Sequence, residues 1–109
     1  MLFKLKNLGK YRFFSSNNEK YYILSYNYVP DIINLRIPHR PNHLKLAQSF
    51  VESGKLIAGG AFNPPNGAQL VFKSNKDVVD DFIKNDPYVI NKLVTNYDLK
   101  EWTVTIGSI

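Results

Sequence analysis

Two histidines, two arginines and two prolines crowd into Arg36-Ile37-Pro38-His39-Arg40-Pro41-Asn42-His43-Leu44. An imidazole gives and takes protons near neutral pH, which suits it to general acid and base work. Guanidiniums beside it can grip a carboxylate in bidentate fashion, so Arg36 and Arg40 are candidate substrate anchors. Pro41 is pre-set for a first helical turn, and Leu44, Ala47, Phe50 and Val51 recur at helical spacing until Gly54, which predicts a helix from about Pro41 to Ser53. On that helix His43 falls between Leu46 and Ala47 and over Phe50, so a polar ring sits on the apolar stripe. His39 precedes Pro41 and lies outside the helix. With no third ligand in view, the pair predicts no metal site.

A second residue breaks local rules. Ser74 or Asn75 caps a helix from about Lys76 to Lys84, with Val78, Val79, Phe82 and Ile83 on its inner face. Continuing its wheel places Asp86 between Phe82 and Ile83, a carboxylate on the inner face and at the negative end of the helix dipole. Pro87 forces Asp86 out of the helical region, so the bland reading is a turn, or a cap for the next segment.

Periodicity supplies the framework around these residues. Tyr21 to Val29 is a strand with large side chains on both faces, which predicts burial on both sides. Pro30 to Arg40 is a linker. Lys55 to Phe62 and Gln69 to Lys73 form a hairpin around Asn63-Pro64-Pro65-Asn66-Gly67. Gly59-Gly60 lacks the Lys-Ser/Thr ending of a phosphate loop, and close backbone packing is the reading it supports. A turn at Val89 to Leu93 leads to a last strand in which Trp102, Val104 and Ile106 alternate with Thr103 and Thr105. The order strand, helix, strand, strand, helix, strand with right-handed crossovers predicts an α+β, ferredoxin-like βαββαβ sandwich, a four-stranded antiparallel sheet with two helices on one face. Aromatic residues on the bare sheet face predict cover by a second copy of the chain, a homodimer through that face.

In this topology the helices run antiparallel, and the start of the first meets the end of the second. His43 and Asp86, 43 residues apart, are thereby placed at one corner. There Asp86 would fix the tautomer of His43 and leave its other nitrogen facing a pocket walled by Tyr26, Tyr28 and Tyr88.

Composition bounds the rest. The 109 residues make one folded domain, 44% hydrophobic with seven Tyr and seven Phe, and without cysteine. No apolar run approaches the roughly 18 residues of a membrane span, so no membrane partner is expected. Of the net charge of +5, the first 18 residues carry +4 through Lys4, Lys6, Lys10 and Arg12, with no acid. The body is near neutral, without the electrostatic footprint of a nucleic-acid binder. Residues 1–18 read as a mitochondrial transit peptide with Arg12-Phe13-Phe14-Ser15 at its processing point, or as a basic tail; the domain occupies 19–109, and the matrix is the expected location.

Arg40-Pro41-Asn42-His43-Leu44, Gly59-Gly60-Ala61, Asp86-Pro87-Tyr88, Leu93-Val94-Thr95 and Trp102, in that order, resemble the YCII-related domain family over about Tyr21 to Gly107. The resemblance implies a dimeric α/β barrel in which two sheets pack face to face, and a His-Asp active-site pair at His43 and Asp86. It also implies a small-molecule substrate such as an organic acid or lactone, handled without a cofactor by an isomerase, lyase or dehydratase. The alternative is a non-catalytic small-molecule-binding or dimerisation module in which the pair merely ties two helix ends together.

Overall fold

Period-two patterning organises the sheet. The computed structural model describes residues 19–109; the leader and its processing point lie outside the described residues. In β1 (Lys20–Tyr28), Tyr22, Leu24, Tyr26 and Tyr28 share one face, and Leu24 and Tyr26 are buried there. Tyr21, Ile23 and Ser25 on the other face are only half-buried and Asn27 is exposed, which corrects the expectation of burial on both sides. β1 is central, pairing antiparallel with β3 (Gly67–Ser74) and β4 (Val94–Trp102), and β3 pairs with β2 (Leu56–Ala61). The strand order β2-β3-β1-β4, all antiparallel, is that of a ferredoxin-like α+β sandwich.

Among the described residues the sheet is joined by four helices: α1 (Ile32–Leu35), α2 (Arg40–Glu52), α3 (Lys76–Asn85) and α4 (Pro87–Ile90). The long ones, α2 and α3, pack on the Leu24/Tyr26/Phe72 face. α3 is built by local rules. The Asn75 side chain accepts the Val78 N–H at 3.1 Å, Asp77 sits in the first turn and Lys84 in the last, and Val79, Phe82 and Ile83 are buried. Phe50 of α2, Phe72 and Phe82 join the layers through edge-to-face contacts at 5.2 to 6.4 Å, each such pair adding about 0.5–1.5 kcal/mol beyond its burial. α2 ends in a Schellman motif: Gly54 adopts φ 78°, Lys55 N–H donates to Phe50 C=O at 2.9 Å and Gly54 N–H to Val51 C=O at 3.0 Å.

Three expectations need correction. α2 buries no residue completely; Leu44 and Val51 are 49% and 41% exposed. Opposite them the sheet offers Gly59, Gly60, Ala61 and Ala68, too small to reach the helix, and a cleft opens between. The last strand spans Val94–Trp102, and Thr103 to Ile109 forms no strand. β4 is an edge strand with only Val94 and Leu99 half-buried, so its alternation is faint, and pairing with β1 sets the register instead. The expected linker contains α1, and α4 begins ahead of the expected turn at Val89 and runs into it; their Ile32 and Tyr88 form a small second core with Leu93.

Candidate functional site

Asp86 is where two helices and a strand converge. Pro87 holds its backbone extended at φ −71°, ψ 120°, so it ends α3 and caps α4 at once. Its carboxylate is 0% exposed, and its oxygens are fully engaged. Oδ1 accepts the Tyr88 N–H at 3.0 Å and lies 2.7 Å from His43 Nδ1, and Oδ2 accepts the Tyr26 hydroxyl at 2.8 Å. A buried carboxylate without such donors would be prohibitively costly. With Asp86 ionised, Nδ1 carries the proton and donates, which leaves Nε2 as the ring nitrogen available to accept one from a ligand.

His43 stands in the first turn of α2, its side chain 12% exposed. Its ring lies flat on Tyr88, with centroids 3.7 Å apart and planes 3° from parallel. Tyr88 in turn meets Tyr28 edge-on at 5.8 Å. The hydrogen bond to Asp86 and the stack on Tyr88 fix the imidazole in both position and rotation. A register shift between Asn27 and Tyr28 in the β1–β4 pairing falls beside the site, the kind of irregularity that re-aims a side chain.

A cleft of about 460 Å³ runs from this corner between α2 and the β2–β3 edge. Tyr28, Arg36, Arg40, His43 and Tyr88 form its polar end, and Ala47, Leu56, Gly59, Ala68 and Leu70 continue it as an apolar floor. A Cβ on Gly59 would sit 3.1 Å from Leu70 Cγ, so a larger residue would narrow the floor. Among the described residues the ion pairs are Lys20–Glu101, His43–Asp86, Lys76–Asp80 and Lys100–Asp98, so neither cleft arginine has a carboxylate partner there.

The phenols are held protonated. Burial, then the Asp86 charge and its hydrogen bond, push Tyr26 far above the ordinary tyrosine range. Burial, then Tyr88 and Asp86, raise Tyr28, against an opposing pull from Arg36 and Arg40. Burial also raises Tyr88, again against an opposing pull from Arg36 and Arg40.

Six of the seven site residues expected from the sequence meet here: His43, Asp86, Arg36, Arg40, Tyr28 and Tyr88. Tyr26 is the correction. Only 1% exposed, it does not line the cleft and supports Asp86 from beneath. Its period-two alignment with buried Leu24 was the signal that could have placed it in the core. Gly59-Gly60, expected to mark close backbone packing, instead lines the cleft, and the floor that Ala68 and Leu70 add carries no chemical signature in the sequence. His39 stands at the N-terminal boundary of α2, makes no side-chain capping bond there, and is not part of the cleft. Among the described residues no group of three or more His, Cys, Asp or Glu side chains comes together, and no helix is long and apolar enough to cross a membrane.

Fold and site together define a ferredoxin-like α+β protein with a buried carboxylate–histidine pair at the head of a small-molecule-sized cleft. The chain belongs to the YCII-related domain family, whose model matches residues 20–103. No curated protein matches it. Among solved structures it is similar to 5-chloro-2-hydroxyhydroquinone dehydrochlorinase from Burkholderia phenoliruptrix, in complex with 2,5-dihydroxybenzoquinone. The TM-score is 0.66 at 19% identity, over 76% of this chain and 93% of that one. It is also similar to a candidate antibiotic biosynthesis monooxygenase from Bacteroides thetaiotaomicron, at TM-score 0.58 and 13% identity over 86% and 96% of the two chains. A protein from Shewanella oneidensis gives TM-score 0.53 and 14% identity over 78% and 89%. At these identities the likeness is one of fold.

Proposed function

We propose that this chain is a small enzyme in which His43 moves a proton on a small organic acid or lactone-like metabolite, with Asp86 orienting the imidazole. One observation carries the reading: the 2.7 Å contact between His43 Nδ1 and a fully buried Asp86 lies at the head of a cleft that also holds two arginines. In the enolisation route to isomerisation, elimination or dehydration, a proton first leaves carbon beside a carbonyl, and Nε2 is the base available to take it. Arg36 and Arg40 grip the substrate's anionic end, and the protonated phenols of Tyr28 and Tyr88 are donors for the oxygen on which charge develops. The Burkholderia protein of the same fold is named as a dehydrochlorinase of a hydroxyhydroquinone, which fits elimination on a small oxygen-rich ring. The test is a panel of enolisable acids and lactones in deuterated water, followed by NMR for exchange or turnover. His43→Ala should lose roughly 100- to 10,000-fold in rate; unchanged turnover removes His43 from the chemistry.

A second reading, a non-catalytic binding or dimerisation module, has its own support, because Asp86 ties β1, α2 and α4 together as a structural lock would. A lock predicts that His43→Ala costs about 1–3 kcal/mol in chemical denaturation, the penalty for a half-paired buried carboxylate. A site kept for chemistry loses little or gains.

Dimerisation through the open sheet face is part of the proposal, supported by the half-buried Tyr21, Ile23 and Val71 and the 39% exposed Trp102 on that face. Sedimentation as a monomer at micromolar concentration would remove it. Delivery to the mitochondrial matrix rests on the acid-free basic leader alone, and a reporter carrying residues 1–18 that stays outside mitochondria counts against it.

A further inference from the structure

Asp86 has two oxygens, and only Oδ1 faces His43. Oδ2 points into the core and is closed by Tyr26, which reaches it from the middle of β1. We infer that Tyr26 is a positioning residue that sets the proton affinity of His43 through Asp86, making the site a three-member chain of phenol, carboxylate and imidazole. The coupling is electrostatic. A buried carboxylate needs donors, and here two neutral ones, the Tyr26 O–H and the Tyr88 N–H, share its charge with the imidazole. Each donor weakens Asp86's hold on the proton that His43 gains at Nε2. If the phenol is removed, the carboxylate leans harder on the imidazolium, and His43 returns its proton less readily. The geometry leaves Tyr26 few other tasks: it does not line the cleft, it is 1% exposed, and its backbone passes so close to Gly67, the partner of Asn27, that a Cβ there would collide with the Tyr26 carbonyl oxygen. Its strand position is therefore locked. The other charged and titratable groups around His43 come from separate elements and stay in place: Arg36 beside α1, Arg40 on α2, Tyr28 on β1 and Tyr88 on α4.

The substitution Tyr26→Phe removes the hydroxyl and keeps the ring, so a tyrosine that only fills the core would lose no function in it. The chain has two histidines, which makes their ring resonances separable by NMR, and His39 serves as the internal reference. In full-length Tyr26→Phe the His43 resonances should titrate at higher pH than in the parent chain, with those of His39 unmoved. Superposable His43 curves would overturn the assignment. Should Tyr26→Phe not fold, the parent chain carries the test through selectively labelled tyrosine. The Tyr26 Cζ resonance should move in step with the His43 titration, and a Cζ resonance flat across it would equally overturn the assignment. The role of Tyr26 as a tuner of chemistry rests on the proposed function, but the readout needs no turnover. Failure of His43 as a catalyst and failure of Tyr26 as its support are therefore seen in separate experiments.

Discussion

The two long helices lie side by side on one sheet and do different work. α3 buries Val79, Phe82 and Ile83 under a ladder of local signals, whereas α2 buries nothing completely and leaves Leu44 and Val51 facing the cleft. The polarity beneath them differs as well. Phe72 and Leu24 lie in the core shared with Phe82, while the corner where α2 begins holds Asp86, Tyr26 and the His43 ring. One helix closes the core, and the other meets it through Phe50 while turning Leu44 and Val51 to the site.

The contrast can be broken at its strong side first. Phe82→Ala should cost about 3–5 kcal/mol in denaturant unfolding, as a cavity opens among Phe50, Phe72 and Val79. A loss under about 1 kcal/mol would mean that α3 is no better anchored than α2. The polar corner is probed next by alkali. Tyr26 and Tyr28 hold their protons in the fold well beyond the ordinary tyrosine value, so the unfolded chain loses them first as pH rises. Their contribution is fully present below the unfolded value of about 10 and falls above it, by up to roughly 1.4 kcal/mol per pH unit for each tyrosine. Denaturant midpoints from about pH 9 to 11.5, spanning that unfolded value, measure this. Tyr26→Phe should make the slope shallower; an unchanged slope would mean that Tyr26 ionises alike in both states. The smallest effect belongs to the open helix. Leu44→Ala should cost less than about 1 kcal/mol, since the side chain is half exposed. A loss above about 2 kcal/mol would show that Leu44 packs into the core rather than facing the cleft.

The same contrast explains what can be read from the chain without its structure. α3 is legible because cap, charge and apolar face agree within ten residues. β1, β2 and β3 are legible from branched and aromatic runs between turn residues. Periodicity misplaces β4 by several residues, since an edge strand with little burial has almost no alternation to find. It finds α2 but assigns its apolar residues to the core. The same pattern of Leu, Ala, Phe and Val serves a core or a cleft, and the surface opposite decides which.

At the site, the amino-acid sequence alone determined the chemistry available: a histidine and an aspartate that each violate the pattern of their own helix, and arginines beside a helix start. Those violations are local, and so they are visible without a structure. Antiparallel topology then sufficed to bring His43 and Asp86 to one corner. Only the tertiary structure decided that Tyr26 faces Asp86 rather than the cleft, that Tyr88 lies flat against the imidazole, and that Gly59 and Ala68 leave a floor open beneath them. Those facts depend on register and on ångström-scale separations between strands and helices distant in sequence. Such separations are set by the packing of the whole domain, and no single segment encodes them.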